Sequence, residues 1–235
     1  MVIIMINKNI LDYVKKRWLN SEYHEPISVI SASASDRKTS LVNISTKIFN
    51  FDKITKTIYG EECDALPASA DGMFFIGNKL YFVEFKTGFK KKITKENFDK
   101  KIAICTYKKE ICKDYWDLFF KNQKKETNEL KYSIKTKAID SFVTLDKMLI
   151  PRCDEGDKIS ICFMAVIDAD SGDALLDMYE KGNKNSGDIK RIRDSLKQYN
   201  KYSNKLDYFY DEIEVKSEME FERFIHQHSK ELQLV

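Results

Sequence analysis

The chain has 235 residues, of which 43% are hydrophobic, and this length and composition suit one domain spanning residues 1–235. A formal net charge of only +3 excludes a protein that is strongly basic overall, so any binding of nucleic acid has to be local. The five cysteines are odd in number and include no Cys-x-x-Cys pair, which argues against a zinc or disulfide framework.

The first part of the chain predicts two helices. Asn7 or Asn9 can cap a helix whose apolar residues run from Ile10 to Trp18. Residues from about Leu41 to Tyr59 predict another helix, although their β-branched residues lower its helix propensity. The apolar opening of the chain lacks a basic leader and is too short to span a membrane, which predicts a reducing, cytoplasmic setting.

A β-hairpin is the strongest local signal in the sequence. Gly77-Asn78 is a two-residue turn signal, and strand-favouring apolar residues flank it on both sides. Pairing outward from this turn places Asp71 opposite Glu84, and strand alternation puts Lys86 on the same face as Glu84. Opposed carboxylates with Cβ atoms ~5 Å apart are destabilising unless something neutralises them, and a divalent cation would do so. Glu-x-Lys is also typical of a solvated strand face, but this strand is apolar on both faces, which favours burial.

These residues resemble the signature of the PD-(D/E)xK nuclease superfamily, in which an acid opens one strand and Glu or Asp, any residue and Lys follow in the next. Asp71 matches the first acid, and Glu84 and Lys86 match the second acid and the lysine. Ala70 stands where the pattern has proline. The resemblance covers about residues 61 to 120. It implies a restriction-endonuclease-like core, which is an α/β three-layer sandwich with a mixed central β-sheet flanked by helices.

The resemblance implies a metal-dependent nuclease that hydrolyses phosphodiester bonds in DNA and serves restriction, repair or defence against mobile elements. Asp71, Glu84 and the Phe85 carbonyl would hold Mg²⁺ or Mn²⁺. Lys86 would orient or deprotonate the attacking water, or stabilise the developing negative charge. Many relatives use a further acid on an earlier helix. Glu61 and Glu62 are the candidates here, and we assign Glu62, with a solvent-exposed position as the alternative for both.

Two further expectations concern partners. Double-strand cutters of this family often pair two sites, so the resemblance allows a homodimer. A protein that binds nucleic acid or a partner without catalysis is the alternative class on the same fold. The sequence has neither a P-loop nor a dinucleotide fingerprint, so nucleotide-powered work is not supported.

A lysine excess follows the predicted catalytic strand, where a phosphate backbone would have to lie. We assign nucleic-acid binding to four lysines at its start: Lys90, Lys91, Lys92 and Lys95. A charged helix surface, or an AT-rich genome, would give the same composition.

The polar segment at about 122–140 has few apolar residues to bury and predicts an insertion or mobile segment, with a short helix or hairpin as the alternative.

The last part of the chain returns to strand and helix patterns. Ile159 to Ile167 is almost continuously apolar and predicts a buried strand parallel to its neighbour. Asp168 and Asp170 follow it, and turn chemistry is favoured over a catalytic role for both. Leu206 to Val215 predicts an outer strand. Ser217 caps a closing helix.

Overall fold

We describe the fold from a computed structural model of the chain. The residues that it describes are 9–20, 22–32, 40–60, 66–87, 129–130, 132–145, 148, 159–168 and 210–232. The sequence also predicts a long amphipathic helix that begins near Thr94, and those residues lie outside these ranges.

A six-stranded mixed sheet forms the centre of the described fold, with the strands in the same order in space as along the chain. These strands are β1 (His24–Pro26), β2 (Lys47–Asn50), β3 (Gly72–Ile76), β4 (Lys79–Lys86), β5 (Ser160–Ile167) and β6 (Glu212–Ser217). Neighbouring strands from β1 to β4 are antiparallel, whereas β4, β5 and β6 run parallel. The sheet with its helices confirms the predicted α/β class.

The helices are α1 (Asn9–Trp18), α2 (Ile27–Ile30), α3 (Phe51–Tyr59), α4 (residues 132–145), α5 (Glu218–Gln227) and α6 (Ser229–Leu232). Buried residues of α1, α3 and α4 join one apolar cluster on the sheet, and this cluster contains Leu80 and Phe82 of β4. Residues of α2, α5 and α6 join a second cluster, which contains Tyr81 and Val83. Since neighbouring β4 residues belong to different clusters, helices cover both faces of the sheet.

The hairpin forms in the predicted register. Gly72 pairs with Val83 and Ile76 pairs with Lys79, as counting outward from Gly77-Asn78 requires. Gly77 has a φ of 56°, which glycine adopts without the steric cost that a side chain would add. The described ladder ends at Gly72, so Asp71 lies just beyond β3 while β4 continues to Lys86.

The helix predicted from Leu41 to Tyr59 is wrong in its first part. Residues 41–46 are not helical, and Lys47–Asn50 form β2, which pairs with β1 and β3. The helix begins only at Phe51, where the Asn50 side chain caps it by accepting a hydrogen bond from the Lys53 amide. Pairing with two neighbouring strands outweighs the local helix preference, as tertiary context commonly does.

Part of the polar segment at 122–140 is helix rather than loop. Residues 129–130 and 132–140 are helical, and Ile134 is fully buried against the sheet while Ala138 is 7% exposed. This agrees with the short-helix alternative for those residues. Residues 122–128 lie outside the described ranges.

The predictions for the end of the chain agree with the structure in most respects. β5 is buried along almost its whole length and runs parallel to β4. The outer strand β6 begins only at Glu212, since Tyr210 and Asp211 lie outside it, and it ends two residues later than predicted. Ser217 caps α5 in a capping box with Glu220. No described helix has the length and apolar character needed to cross a membrane.

Candidate active site

Asp71 is held at the entrance to β3 by a backbone hydrogen bond. Its Oδ2 accepts from the Phe85 amide at 2.7 Å. Because the β3 ladder ends at Gly72, the Asp71 carboxylate takes the position where a strand carbonyl would otherwise meet this amide. The bond fixes one carboxylate oxygen and leaves the other, Oδ1, directed to a different partner.

Glu84 lies one residue beyond the end of the same ladder, on the β4 face that carries Leu80 and Phe82. Its side chain has no exposed surface. Burial and the neighbouring Asp71 carboxylate raise the pKa of Glu84 well above its usual value, although Lys137 and Lys86 oppose this shift. Glu84 Oε1 is buried and has no hydrogen-bond partner among the described residues. A buried carboxylate oxygen without a partner is costly, so this atom is a candidate ligand for a cation.

Lys137 joins the two carboxylates. Its Nζ donates to Asp71 Oδ1 at 2.9 Å and to Glu84 Oε2 at 2.8 Å. Burial alone would lower the pKa of Lys137, but the attraction of the two carboxylates outweighs burial and raises the pKa above its usual value. The ammonium therefore stays charged and neutralises part of the opposed negative charge.

The position of Lys137 is set by α4, which is bonded to the segment entering β3. Ser141 Oγ accepts from the Ala70 amide at 2.7 Å and donates to the Lys137 carbonyl at 2.6 Å. Asp140 Oδ2 accepts from the Ala68 amide at 2.9 Å. These contacts hold the helix beside the residues that lead into Asp71, so the ammonium meets the carboxylates from a fixed direction.

Lys86 belongs to the same region of the structure but has a different partner. By strand alternation it lies on the same face as Glu84, and its Nζ donates to Ser133 Oγ at 3.1 Å. Ser133 lies one helical turn before Lys137, so α4 carries Lys137 and also contacts Lys86. The structure thus brings Asp71, Glu84 and Lys86 to one end of the hairpin, with Lys137 as an additional cation.

The remaining predicted site residues lie outside the described ranges: Glu62, Lys90, Lys91, Lys92 and Lys95. Phe85 contributes its amide to Asp71, and its carbonyl remains a predicted metal ligand. Asp168 follows β5 at the same sheet edge, and its amide donates to the Lys86 carbonyl at 3.2 Å. Its backbone therefore continues the parallel ladder, and the role of its side chain stays a prediction.

Sequence reasoning missed Lys137 as a site residue. A signal exists in retrospect, because Ser133, Lys137 and Ser141 are spaced four apart, as on one face of a helix, among buried apolar positions. That spacing alone does not identify the partners of the helix. The contacts to Asp71 and Glu84 span 66 and 53 residues, so only the three-dimensional fold reveals them.

The donor set near Lys137 is small but suited to a divalent cation. No three His, Cys, Asp or Glu side chains group together as metal ligands within the described part of the chain. Two carboxylates are present, and one of their four oxygens, Glu84 Oε1, has no described partner. Mg²⁺ commonly uses one or two carboxylates and keeps several waters, so Asp71 and Glu84 fit such an ion provided that Lys137 leaves room for it.

Comparisons with known proteins found no match to this chain. No protein-family model matches the sequence. No curated protein and no solved structure matches the chain either.

Proposed function

We propose that the chain is a metal-dependent nuclease that hydrolyses phosphodiester bonds in DNA. The observation that carries this proposal is the convergence of Asp71 and Glu84 on one cation, with both carboxylates within 2.9 Å of the same ammonium nitrogen. Carboxylates gathered in this way form the kind of ligand group that a phosphate-cleaving metal site needs.

The fold supports the proposal at the level of topology. β2, β3 and β4 are antiparallel neighbours, α4 follows β4, and β5 then joins β4 in parallel. This mixed order agrees with the restriction-endonuclease-like core that the sequence resemblance implies, with helices forming a layer on each face of the sheet.

We assign metal binding and the handling of the attacking water to different residues of the site. Asp71, Glu84 and the Phe85 carbonyl would hold Mg²⁺ or Mn²⁺. Such an ion, when bound, activates a water and neutralises phosphoryl charge. Lys86 is the residue that we expect to orient the attacking water or stabilise the developing negative charge. Asp71 is kept in position by the Phe85 amide, so the carboxylate is oriented before substrate arrives.

The test compares wild type with Lys86→Ala on linear, nicked and branched DNA and on RNA, with Mn²⁺ or Mg²⁺. We expect wild type to cut DNA, and Lys86→Ala to lose about 10²-fold or more in rate while keeping most of its DNA affinity. Asp71→Ala should weaken metal binding in calorimetry. Lys79→Ala is the matched control, because this lysine lies at the opposite end of β4.

A second candidate function is a protein that binds nucleic acid or a partner without catalysis. The observation in its favour is Lys137, whose ammonium group contacts both carboxylates and neutralises part of their charge. Tight DNA binding by a wild-type protein that cuts no substrate would favour this candidate. Cleavage of RNA alone would contradict the choice of DNA but retain the nuclease chemistry.

A further inference from the structure

We propose that Lys137 is the resident counter-cation of Asp71 and Glu84, and that a divalent cation binds only by displacing its ammonium group. This inference rests on the proposed function, since it concerns how the same site receives its metal. It makes metal binding and the breaking of two internal ion pairs a single event.

The first reason is that the ammonium takes one oxygen of each carboxylate. Lys137 Nζ lies 2.9 Å from Asp71 Oδ1 and 2.8 Å from Glu84 Oε2, so it contacts both carboxylates at once. The other Asp71 oxygen is engaged by the Phe85 amide. The ammonium group occupies Asp71 Oδ1 and Glu84 Oε2 and repels a second cation, so a metal that takes these oxygens has to displace it.

The second reason is that Lys137 can leave without moving its helix. The Ser141 and Asp140 side chains bind the segment before Asp71, and Ile134 is buried, so α4 is anchored independently of the ion pairs. The Lys137 side chain is 24% exposed, and its flexible stem gives the ammonium a path to water. Displacement therefore requires only rotation of one side chain.

The third reason is the contrast with Lys86. Its ammonium bonds to Ser133 Oγ at 3.1 Å, and both carboxylates have Lys137 as their ion-pair partner. Lys86 has the same charge, the same stem and a neighbouring position, but it does not occupy the bridging position. It is therefore the matched control for the effect of Lys137.

The experiment is calorimetry with Mn²⁺ on wild type, Lys137→Met, Lys137→Arg and Lys86→Met. Removing the competing cation should tighten Mn²⁺ binding by Lys137→Met at least about 10-fold, since the cost of breaking a buried ion pair no longer opposes binding. Lys137→Arg keeps a cation that pairs with carboxylates, so its affinity should stay close to wild type. Lys86→Met should tighten Mn²⁺ binding much less than Lys137→Met does, because the Lys86 ammonium group bonds to Ser133 rather than to the two carboxylates.

Mn²⁺ binding of equal strength to wild type and Lys137→Met would overturn the displacement while leaving the proposed nuclease site intact. Absence of Mn²⁺ binding in all four proteins would instead remove the metal site, and the proposed function with it. A gain in Lys86→Met as large as that in Lys137→Met would also overturn the inference, because a general charge effect would then explain both.

A second measurement uses wild type alone, so it remains valid if Lys137→Met does not fold. Amine-specific acylation followed by mass spectrometry reports whether an ammonium group is released from its ion pairs. Saturating Mn²⁺ should speed the acylation of Lys137 and leave that of Lys79 unchanged. Unchanged acylation of Lys137 at saturating Mn²⁺ would show that the metal binds without displacing it.

Discussion

The two ends of β4 each carry a lysine–carboxylate contact, yet their surroundings differ. At the hairpin turn, Lys79 Nζ lies 2.5 Å from Glu212 Oε1, with side chains 35% and 41% exposed. At the far end, Lys137 binds Asp71 and a Glu84 side chain that has no exposed surface. The same chemical pairing therefore occurs once in contact with water and once largely removed from it.

Burial, rather than distance, determines how much each of these ion pairs contributes to stability. In an exposed ion pair, each side chain exchanges contacts with water for contacts with the other, so the pair adds little stability. A buried pair has lost that water, so each member depends on the other. We infer that substitutions at the turn end of β4 cost little stability. Substitutions at the far end disturb the charge balance among Asp71, Glu84 and Lys137.

The largest effect that we expect comes from Lys137→Met. It leaves the buried Glu84 beside Asp71 without a counter-charge and should lower the free energy of unfolding by about 3 kcal/mol, the lower end of the range for a broken buried pair, because Lys137 and Asp71 keep some exposure. Urea denaturation in the presence of a chelator measures this loss. If Lys137→Met lowers the free energy of unfolding less than Lys79→Met does, the buried ion pair does not contribute more than the exposed one.

The next largest effect concerns the attachment of α4. Ser141→Ala removes the acceptor of the buried Ala70 amide and should destabilise the protein by about 1–3 kcal/mol, the cost of an unpaired buried donor. Ser141→Thr keeps the hydroxyl and is the control for its loss. If Ser141→Ala unfolds at the same urea concentration as wild type, this bond does not hold the helix at the site.

The pH dependence of stability tests the charge of Glu84. Its pKa in the folded protein is raised above the ordinary value of 4.5, so between 4.5 and the raised pKa the folded state holds a proton that the unfolded state releases. This group therefore makes stability fall as pH rises through that window. In Glu84→Gln the decline should be shallower, as measured by urea denaturation at a series of pH values. Parallel pH profiles of the two proteins would show that Glu84 is not the group responsible.

The smallest effect should come from the turn end of the strand. Lys79→Met removes an exposed ion pair, so we expect a loss of only about 0.2–1 kcal/mol in the free energy of unfolding. The same denaturation assay measures it. A loss as large as that of Lys137→Met would show that the two ends of β4 do not differ in the way that their exposure indicates.

The sequence predicted those parts of the site that depend on local chemistry. The Gly77-Asn78 turn determines the hairpin register, so counting residues brought Asp71 and Glu84 to the same end of the hairpin, one residue beyond the pair of Gly72 and Val83. Lys137 could not be found in this way, because its carboxylate contacts depend on how a helix distant in sequence packs on the sheet. β2 was missed for a related reason, since its identity depends on pairing with β1 and β3 rather than on its own four residues.

The outer strands of the described sheet bear on how copies of the chain can associate. β1 has only three residues and ends in Pro26, which cannot donate a backbone hydrogen bond. β6, at the other side, carries Glu212, Glu214 and Lys216 at its less buried positions. Short, proline-bearing and charged edges are those that natural sheets use to prevent pairing with a foreign strand. The outermost strands of the described sheet are therefore poorly suited to pairing with a strand from another chain.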